Sequence, residues 1–120
     1  MKPISQYNKI KSYTTKDGSI IRELMHPDFN HNKNQSLAEA VIPSNTETLL
    51  HKHILSEEIY HIIQGQGLMT LGNEQFAVNR GDTICIPPNT PHKICNAGNS
   101  ELIILCCCSP AYAHEDTQLI

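Results

Sequence analysis

The chain of 120 residues has no tryptophan, two phenylalanines and no long apolar run. A membrane-spanning helix needs about 20 consecutive apolar residues, so no such span is expected. The N-terminus, Met1-Lys2-Pro3-Ile4-Ser5-Gln6-Tyr7, lacks the apolar core of a secretory signal. Basic residues are few and scattered: 9 Lys and Arg against 12 Asp and Glu, for a net charge of −3. Without a basic stripe, nucleic acid is a poor partner. The five cysteines are odd in number and lack the Cys-x-x-Cys spacing of a structural metal site. Three of them, Cys106, Cys107 and Cys108, are adjacent and would alternate faces in a strand, which is a poor disulfide framework. They read as small buried hydrophobes in a reducing compartment. These absences leave a cytoplasmic protein with a small-molecule partner as the expectation.

What is present is a series of short, regularly spaced strand patterns. A weak strand falls at Lys11–Thr15, followed by a turn signal, Lys16-Asp17-Gly18-Ser19. Strands are then expected at Ile20–Met25, Ser36–Ile42, Glu47–His53, Glu58–Ile63, Gly67–Leu71, Gln75–Asn79, Thr83–Ile86, Pro91–Cys95 and Glu101–Cys107. The polar stretch from His26 to Asn34 is a loop. Gly72-Asn73 is a two-residue hairpin turn. About ten short strands with no convincing helix predict one antiparallel all-β domain over residues 1–120, with its barrel core at about 20–108. Residues 109–120 form a tail without a strand pattern. It either hangs loose or folds back across the barrel mouth, bringing Tyr112 and His114 with it.

One stretch carries the chemistry: His51-Lys52-His53-Ile54-Leu55-Ser56-Glu57-Glu58. Side chains at i and i+2 of a strand share a face, so His51 and His53 project side by side, roughly 6–7 Å apart along the backbone. Both can lean onto one ion at ~2.0–2.1 Å. A carboxylate after the turn and a further histidine from another hairpin, His92, would complete the set. Glu57 and Glu58 are both within reach in sequence. Adjacent strand residues face opposite sides, so only one of them can look inward with the histidines. Tyr60 shares the face of Glu58 and is a candidate catalytic residue, although plain packing is the simpler account of it. His61, at an odd offset, should face away with Ile59 and Ile63. Arg22 and Glu39 lie on earlier strands, and the sequence leaves their facing open.

The spacing around these residues resembles the two motifs of the cupin superfamily, G-x5-H-x-H-x4-E-x6-G and G-x5-P-x-G-x2-H-x3-N. The first is met by His51, His53, Glu58 and Gly65, and the second by Gly81, Pro87, His92 and Asn96. Asn45 and Asn89 stand where the motifs have glycine. Asparagine is the residue other than glycine that best tolerates the left-handed region. The six-residue count to Gly65 works only from Glu58, which selects it over Glu57. The resemblance implies a double-stranded β-helix jelly roll with His51, His53, Glu58 and His92 as metal ligands. It further implies one divalent transition metal per chain and a homodimer, with residues 1–25 pairing across the interface. Imidazole and carboxylate suit Fe, Mn, Ni, Co, Cu and Zn alike. Two adjacent open positions on a six-coordinate ion favour Fe or Mn. Similar proteins imply an enzyme acting on a small metal-chelated substrate, with dioxygenase chemistry ahead of isomerase or lyase chemistry. Lys52 and Lys93 alternate away from the ligand face, which lowers a sugar-phosphate reading. The alternative is a non-catalytic, metal-dependent binding or sensor module.

Overall fold

Burial alternates residue by residue along the two longest strands, and that alternation sets the inside of the molecule. Glu58, Tyr60 and Ile62 are buried while Glu57, Ile59 and Ile63 are exposed. Leu102, Ile104, Cys106 and Cys108 are buried, with half-buried residues between them. Period-two alternation of this kind belongs to antiparallel sheets with one face on the core. The computed structural model describes residues 3–120. Its strands are β1 (Tyr13–Thr14), β2 (Ile20–Met25), β3 (Ser36–Ile42), β4 (Thr46–Glu47), β5 (His51–His53) and β6 (Glu57–Gln64). They continue as β7 (Gln66–Leu71), β8 (Glu74–Asn79), β9 (Thr83–Ile86), β10 (His92–Asn96), β11 (Leu102–Ser109) and β12 (Thr117–Leu119). Among the described residues there is no α-helix, only single 3-10 turns at Tyr7–Lys9 and His114–Asp116. No helix is long and apolar enough to cross a membrane.

The strands form two sheets, and every pairing is antiparallel. One runs β1-β2-β3-β11-β6-β9, and the other β12-β5-β10-β7-β8 with β4 beside β10. Both contribute to one core: Ile62, Ile104 and Leu102 from the first sheet meet Met69, Ile94 and Val78 from the second. Each fully buried side chain of this size stabilises the fold by about 1.5–3 kcal/mol. This is the expected all-β jelly roll.

Two sequence expectations need correction. The strand expected over Glu47–His53 is broken: β4 and β5 are separated by Thr48–Leu50. The Thr48 amide there donates to the Ile94 carbonyl, and the Leu49 amide leaves the ladder for the Asp17 carbonyl. The tail contains a strand, β12, that three residues were too few to announce. It pairs with β5 in the register Thr117↔His53, Gln118↔Lys52 and Leu119↔His51. The tail therefore folds back. Within segment 1–25, β1 pairs with β2 and β2 with β3. Its first two residues lie outside the described ones.

The motif turns behave as their residues allow. Asn45 and Asn89 adopt φ of 58° and 60°. Buried Asn96 is fully used: its Nδ2 donates to the carbonyls of Ile42 and Ser100, and its Oδ1 accepts from the Gly98 amide. Gly65 has φ of 86°, and a Cβ there would lie 2.8 Å from the Glu101 carbonyl oxygen. Gly81 has a similar φ of 92° but open space around it. Gly65→Ala is therefore expected to lower stability by at least ~2 kcal/mol, from left-handed strain plus the clash. Gly81→Ala should cost about 1 kcal/mol, from the backbone conformation alone. Chemical denaturation of the two variants side by side checks this, and equal losses would remove the role given to the close approach at Gly65.

Candidate metal centre

The histidines come from two neighbouring strands of one sheet. His51 and His53 lie on β5, and His92 on β10 sits directly across from His51. The three are 2 %, 5 % and 0 % exposed, and their nearest ring nitrogens all lie within 4.8 Å of one another. Glu58 arrives from the other sheet. Its Oε1 is 3.2 Å from His53 Nε2 and 3.5 Å from His92 Nε2. The structure thus brings together all four residues singled out by sequence. Glu57 is exposed and faces away.

The other ring nitrogens fix the protonation. His51 Nδ1 lies 2.7 Å from the Leu49 carbonyl, and His92 Nδ1 lies 2.9 Å from the Thr90 carbonyl. A carbonyl only accepts, so both Nδ1 atoms carry the proton. His53 Nδ1 lies 3.0 Å from Thr117 Oγ1, whose own hydroxyl proton goes to the Ala113 carbonyl. That oxygen accepts as well. In the neutral ring a proton on Nδ1 leaves Nε2 as a bare lone pair. In that state the bare Nε2 atoms of His53 and His92 face Glu58 Oε1, and that of His51 faces Asp17 Oδ2. Burial, and after it the proximity of His92, hold the His51 imidazole below its ordinary pKa, which keeps that ring neutral. His92 Nε2 and Glu58 Oε1 are buried without a hydrogen-bond partner. A divalent cation satisfies this donor set. The residues fit one, with the Nδ1 hydrogen bonds orienting each ring as outer partners of metal-bound histidine do.

Two contributors were not legible in sequence. Asp17, in the turn between β1 and β2, points Oδ2 at His51 Nε2 from 3.3 Å. Thr117 holds His53 from the tail. Both lie more than thirty residues from their partner, and the only local signal was the turn residue Asp17 itself. Cys108 also joins, its Sγ 3.3 Å from Glu58 Oε2.

The cavity beside the cluster has about 40 Å³ of free volume, space for a few waters or one small ligand. Its walls include Ile21, Ala38, Ala40, Ile94 and Ile104, and Tyr112 of the tail. The Tyr112 ring meets His53 edge to face at 5.8 Å. Tyr60 lines the cavity, its ring 6.0 Å from that of His92. Burial pushes the Tyr60 phenol well above its ordinary value, so it remains a hydroxyl. No lysine or arginine lines the cavity. Arg22 and Glu39 pair with each other at 3.4 Å and lie outside this lining. His61 turns away, with Nδ1 2.8 Å from Thr83 Oγ1.

Two antiparallel sheets enclosing a histidine-centred pocket define the class: a small jelly roll with its site between the sheets. The family follows from sequence comparison. A cupin-domain family model matches residues 38–108, and the chain belongs to the cupin family. It is 62% identical over 116 residues to an uncharacterized protein of Methanocaldococcus jannaschii, covering 97% of this chain and 93% of that one. It is 30% identical over 82 residues to an oxalate-binding protein of Thermotoga maritima, covering 68% of each chain. Among solved structures, a Streptomyces nucleoside dehydratase superposes over all of this chain and 92% of its own, with a TM-score of 0.82 at 15% identity. An oxalate decarboxylase of Lactobacillus farciminis superposes with a TM-score of 0.81 at 23% identity, over 94% of this chain and 34% of that one. Likeness at these identities concerns the fold.

If Glu58 supplies the carboxylate ligand, Glu58→Gln keeps the shape and removes the charge. Affinity for Mn²⁺ is expected to fall at least tenfold, or ~1.4 kcal/mol. Glu57→Gln should alter stability by less than ~0.5 kcal/mol, as an ordinary surface change does. Calorimetric titration of both variants with Mn²⁺ decides between the two glutamates.

Proposed function

We propose that the chain is a metal-dependent cupin enzyme that acts on a small, metal-chelating substrate, with dioxygenase-type chemistry as the first reading. His51, His53, Glu58 and His92 hold one divalent metal, with Fe or Mn favoured. The observation that carries this reading is the buried group of three histidine ring nitrogens beside Glu58, where His92 Nε2 and Glu58 Oε1 lie 3.5 Å apart with no hydrogen-bond partner. When bound there, such an ion supplies Lewis acidity and, as Fe(II), redox chemistry with dioxygen. The chain's own part is to shape and dry the pocket. Ile94, Ile104 and Ala40 exclude water from one side, and the tail, through Tyr112, covers another. Tyr60, protonated, is placed to donate a hydrogen bond to a bound ligand. The apolar walls and the lack of lysine and arginine favour an uncharged or singly charged substrate over a phosphorylated one.

A second reading, non-catalytic binding of a small dicarboxylate, draws on the likeness to the Thermotoga maritima oxalate-binding protein. The two readings separate on one set of measurements. Elemental analysis of protein purified without added metal should find close to one transition metal per chain. A chelator should lower stability by roughly 3–4 kcal/mol when the free ion had been at 100–1,000 times its dissociation constant. Oxygen uptake is then followed with a panel of small diols, diketones and thiols. Uptake with any of them supports the enzyme. Oxalate binding without turnover of any panel member supports the carrier. Absence of metal together with no response to the chelator would sink both.

A homodimer is part of the same proposal. The outer face of the first sheet carries a continuous row, Leu37, Cys107, Ile59 and Cys85, each opposite the next on β3, β11, β6 and β9. Leu37 and Ile59 are 37% and 42% exposed. A second copy would cover this apolar row, which monomers seldom leave open. Light scattering at micromolar concentration should give about twice the chain mass of 13.4 kDa, and Ile59→Glu should halve it. A wild-type mass of one chain would refute the dimer.

A further inference from the structure

Asp17 lies outside the four-residue set, yet its carboxylate meets one member of it, His51. It sits in the turn between β1 and β2 and is 9% exposed. Its two carboxylate oxygens have different surroundings. Oδ1 is saturated: it accepts from Thr15 Oγ1 at 2.6 Å, from the Ser19 amide at 2.9 Å and from Ser19 Oγ at 2.6 Å. Oδ2 is turned the other way and ends 3.3 Å from His51 Nε2. In the neutral ring that nitrogen carries no proton, because His51 Nδ1 donates to the Leu49 carbonyl. Two acceptor atoms thus face each other in a buried place, with nothing to offer between them. Glu58 Oε1 and His53 Nε2 make the same approach at 3.2 Å.

Both distances suit neighbouring ligands of one ion. Two bonds of ~2.1 Å at a right angle place their donor atoms roughly 3 Å apart. The backbone also holds the turn toward the ligand strand: the Leu49 amide, two residues before His51, donates to the Asp17 carbonyl at 2.8 Å. The carboxylate is therefore fixed at both ends, by its own turn and by the segment leading into β5.

We infer that Asp17 is a fifth protein ligand, binding the metal of this site through Oδ2. The inference rests on the metal reading above and deepens it. A six-coordinate ion held by three imidazoles and two carboxylates keeps a single open position. An incoming ligand would gain a second bond only by displacing one of the protein ligands, of which Asp17 stands nearest the turn. The local alternative is that Asp17 serves its turn and nothing else. Asparagine separates the two. Its Oδ1 caps such a turn as well as aspartate does, while its Nδ2 replaces the ligating oxygen with a poor ligand that can donate to His51 Nε2.

The test compares wild type, Asp17→Asn, Asp17→Ser and Glu58→Gln with Mn²⁺ alone as the probe. Affinity is measured by calorimetry, and the water bound to Mn²⁺ by proton relaxation. Asp17→Asn is expected to bind Mn²⁺ at least tenfold more weakly, to admit one more exchanging water, and to melt metal-free within a few degrees of wild type. Asp17→Ser keeps a turn-capping hydroxyl and should show the same loss, so the test stands if the asparagine variant does not fold. Mn²⁺ affinity within twofold of wild type in either folded variant, while Glu58→Gln is weakened, overturns the inference and leaves the four-ligand centre intact. A wild-type chain that binds no Mn²⁺ overturns both.

Discussion

Three imidazole N–H groups, each committed to an oxygen outside the cavity, are the constraint on which the rest of the site depends. Each commitment turns an unprotonated nitrogen inward. Burying acceptors without donors costs free energy, on the order of 1–3 kcal/mol each. The surrounding structure is arranged to hold them there regardless. Thr90 and Leu49 present carbonyls from the residues two before their histidines, so β5 and β10 carry their own orienting groups. For His53 the partner is remote. It comes from β12, and the tail is anchored for that purpose at several points. Asp116 accepts from the amides of Leu55 and Ser56, and the Tyr112 amide donates to Ser36 Oγ. The fold and the site are thus not separable. The two sheets meet where Glu58, from one, faces His53 and His92, from the other.

Much of this was legible in the sequence, and the reason is geometric. His51 and His53 at i and i+2 are bound to share a face of a strand, whatever surrounds them. Parity allowed only one of Glu57 and Glu58 inside, the six-residue count to Gly65 chose Glu58, and burial agrees: Glu58 is inside and Glu57 outside. Turn positions were legible because few residues tolerate a positive φ, and Asn45, Asn89, Gly65 and Gly81 all adopt one. The two-residue hairpin Gly72-Asn73 joins β7 to β8 as expected.

What escaped the sequence reading depends on pairing between distant segments. Nothing in Thr117-Gln118-Leu119 announces a strand, because three residues carry no period. The ladder exists because β5 offers a free edge. Asp17 looked like any turn aspartate, and its second oxygen acquires a role only once the β1–β2 turn is laid against β5. Register also settled the triple cysteine. Cys106 and Cys108 sit opposite Tyr60 and Glu58 on the inner face, and Cys107 sits opposite Ile59 on the outer one. Adjacent cysteines in a strand are divided between two environments by the pleat. The two inner thiols are pushed up in pKa by burial, and next by the Glu58 charge; Cys106 packs as an apolar group, while Cys108 donates its S–H to Glu58 Oε2.

The charge balance inside the cavity links this architecture to its chemistry. Glu58 and Asp17 bring two formal negative charges to the neutral imidazoles, and a divalent cation cancels them. Glu23, also in the lining, is raised in pKa, first by burial. No lysine or arginine stands ready to neutralise an arriving anion. A substrate with two or more negative charges would therefore meet a compensated ion and carboxylate walls in a low-dielectric pocket, where repulsion is poorly screened. A neutral chelator that loses a proton on binding brings one charge at most. It also gains from contact with Ile94, Ile104 and Ala40. If the proposed metal site is filled, cavity charge and apolar walls would favour the same class of ligand, a small and weakly acidic oxygen or sulfur donor. For such a ligand the protonated Tyr60 hydroxyl is a complementary neighbour.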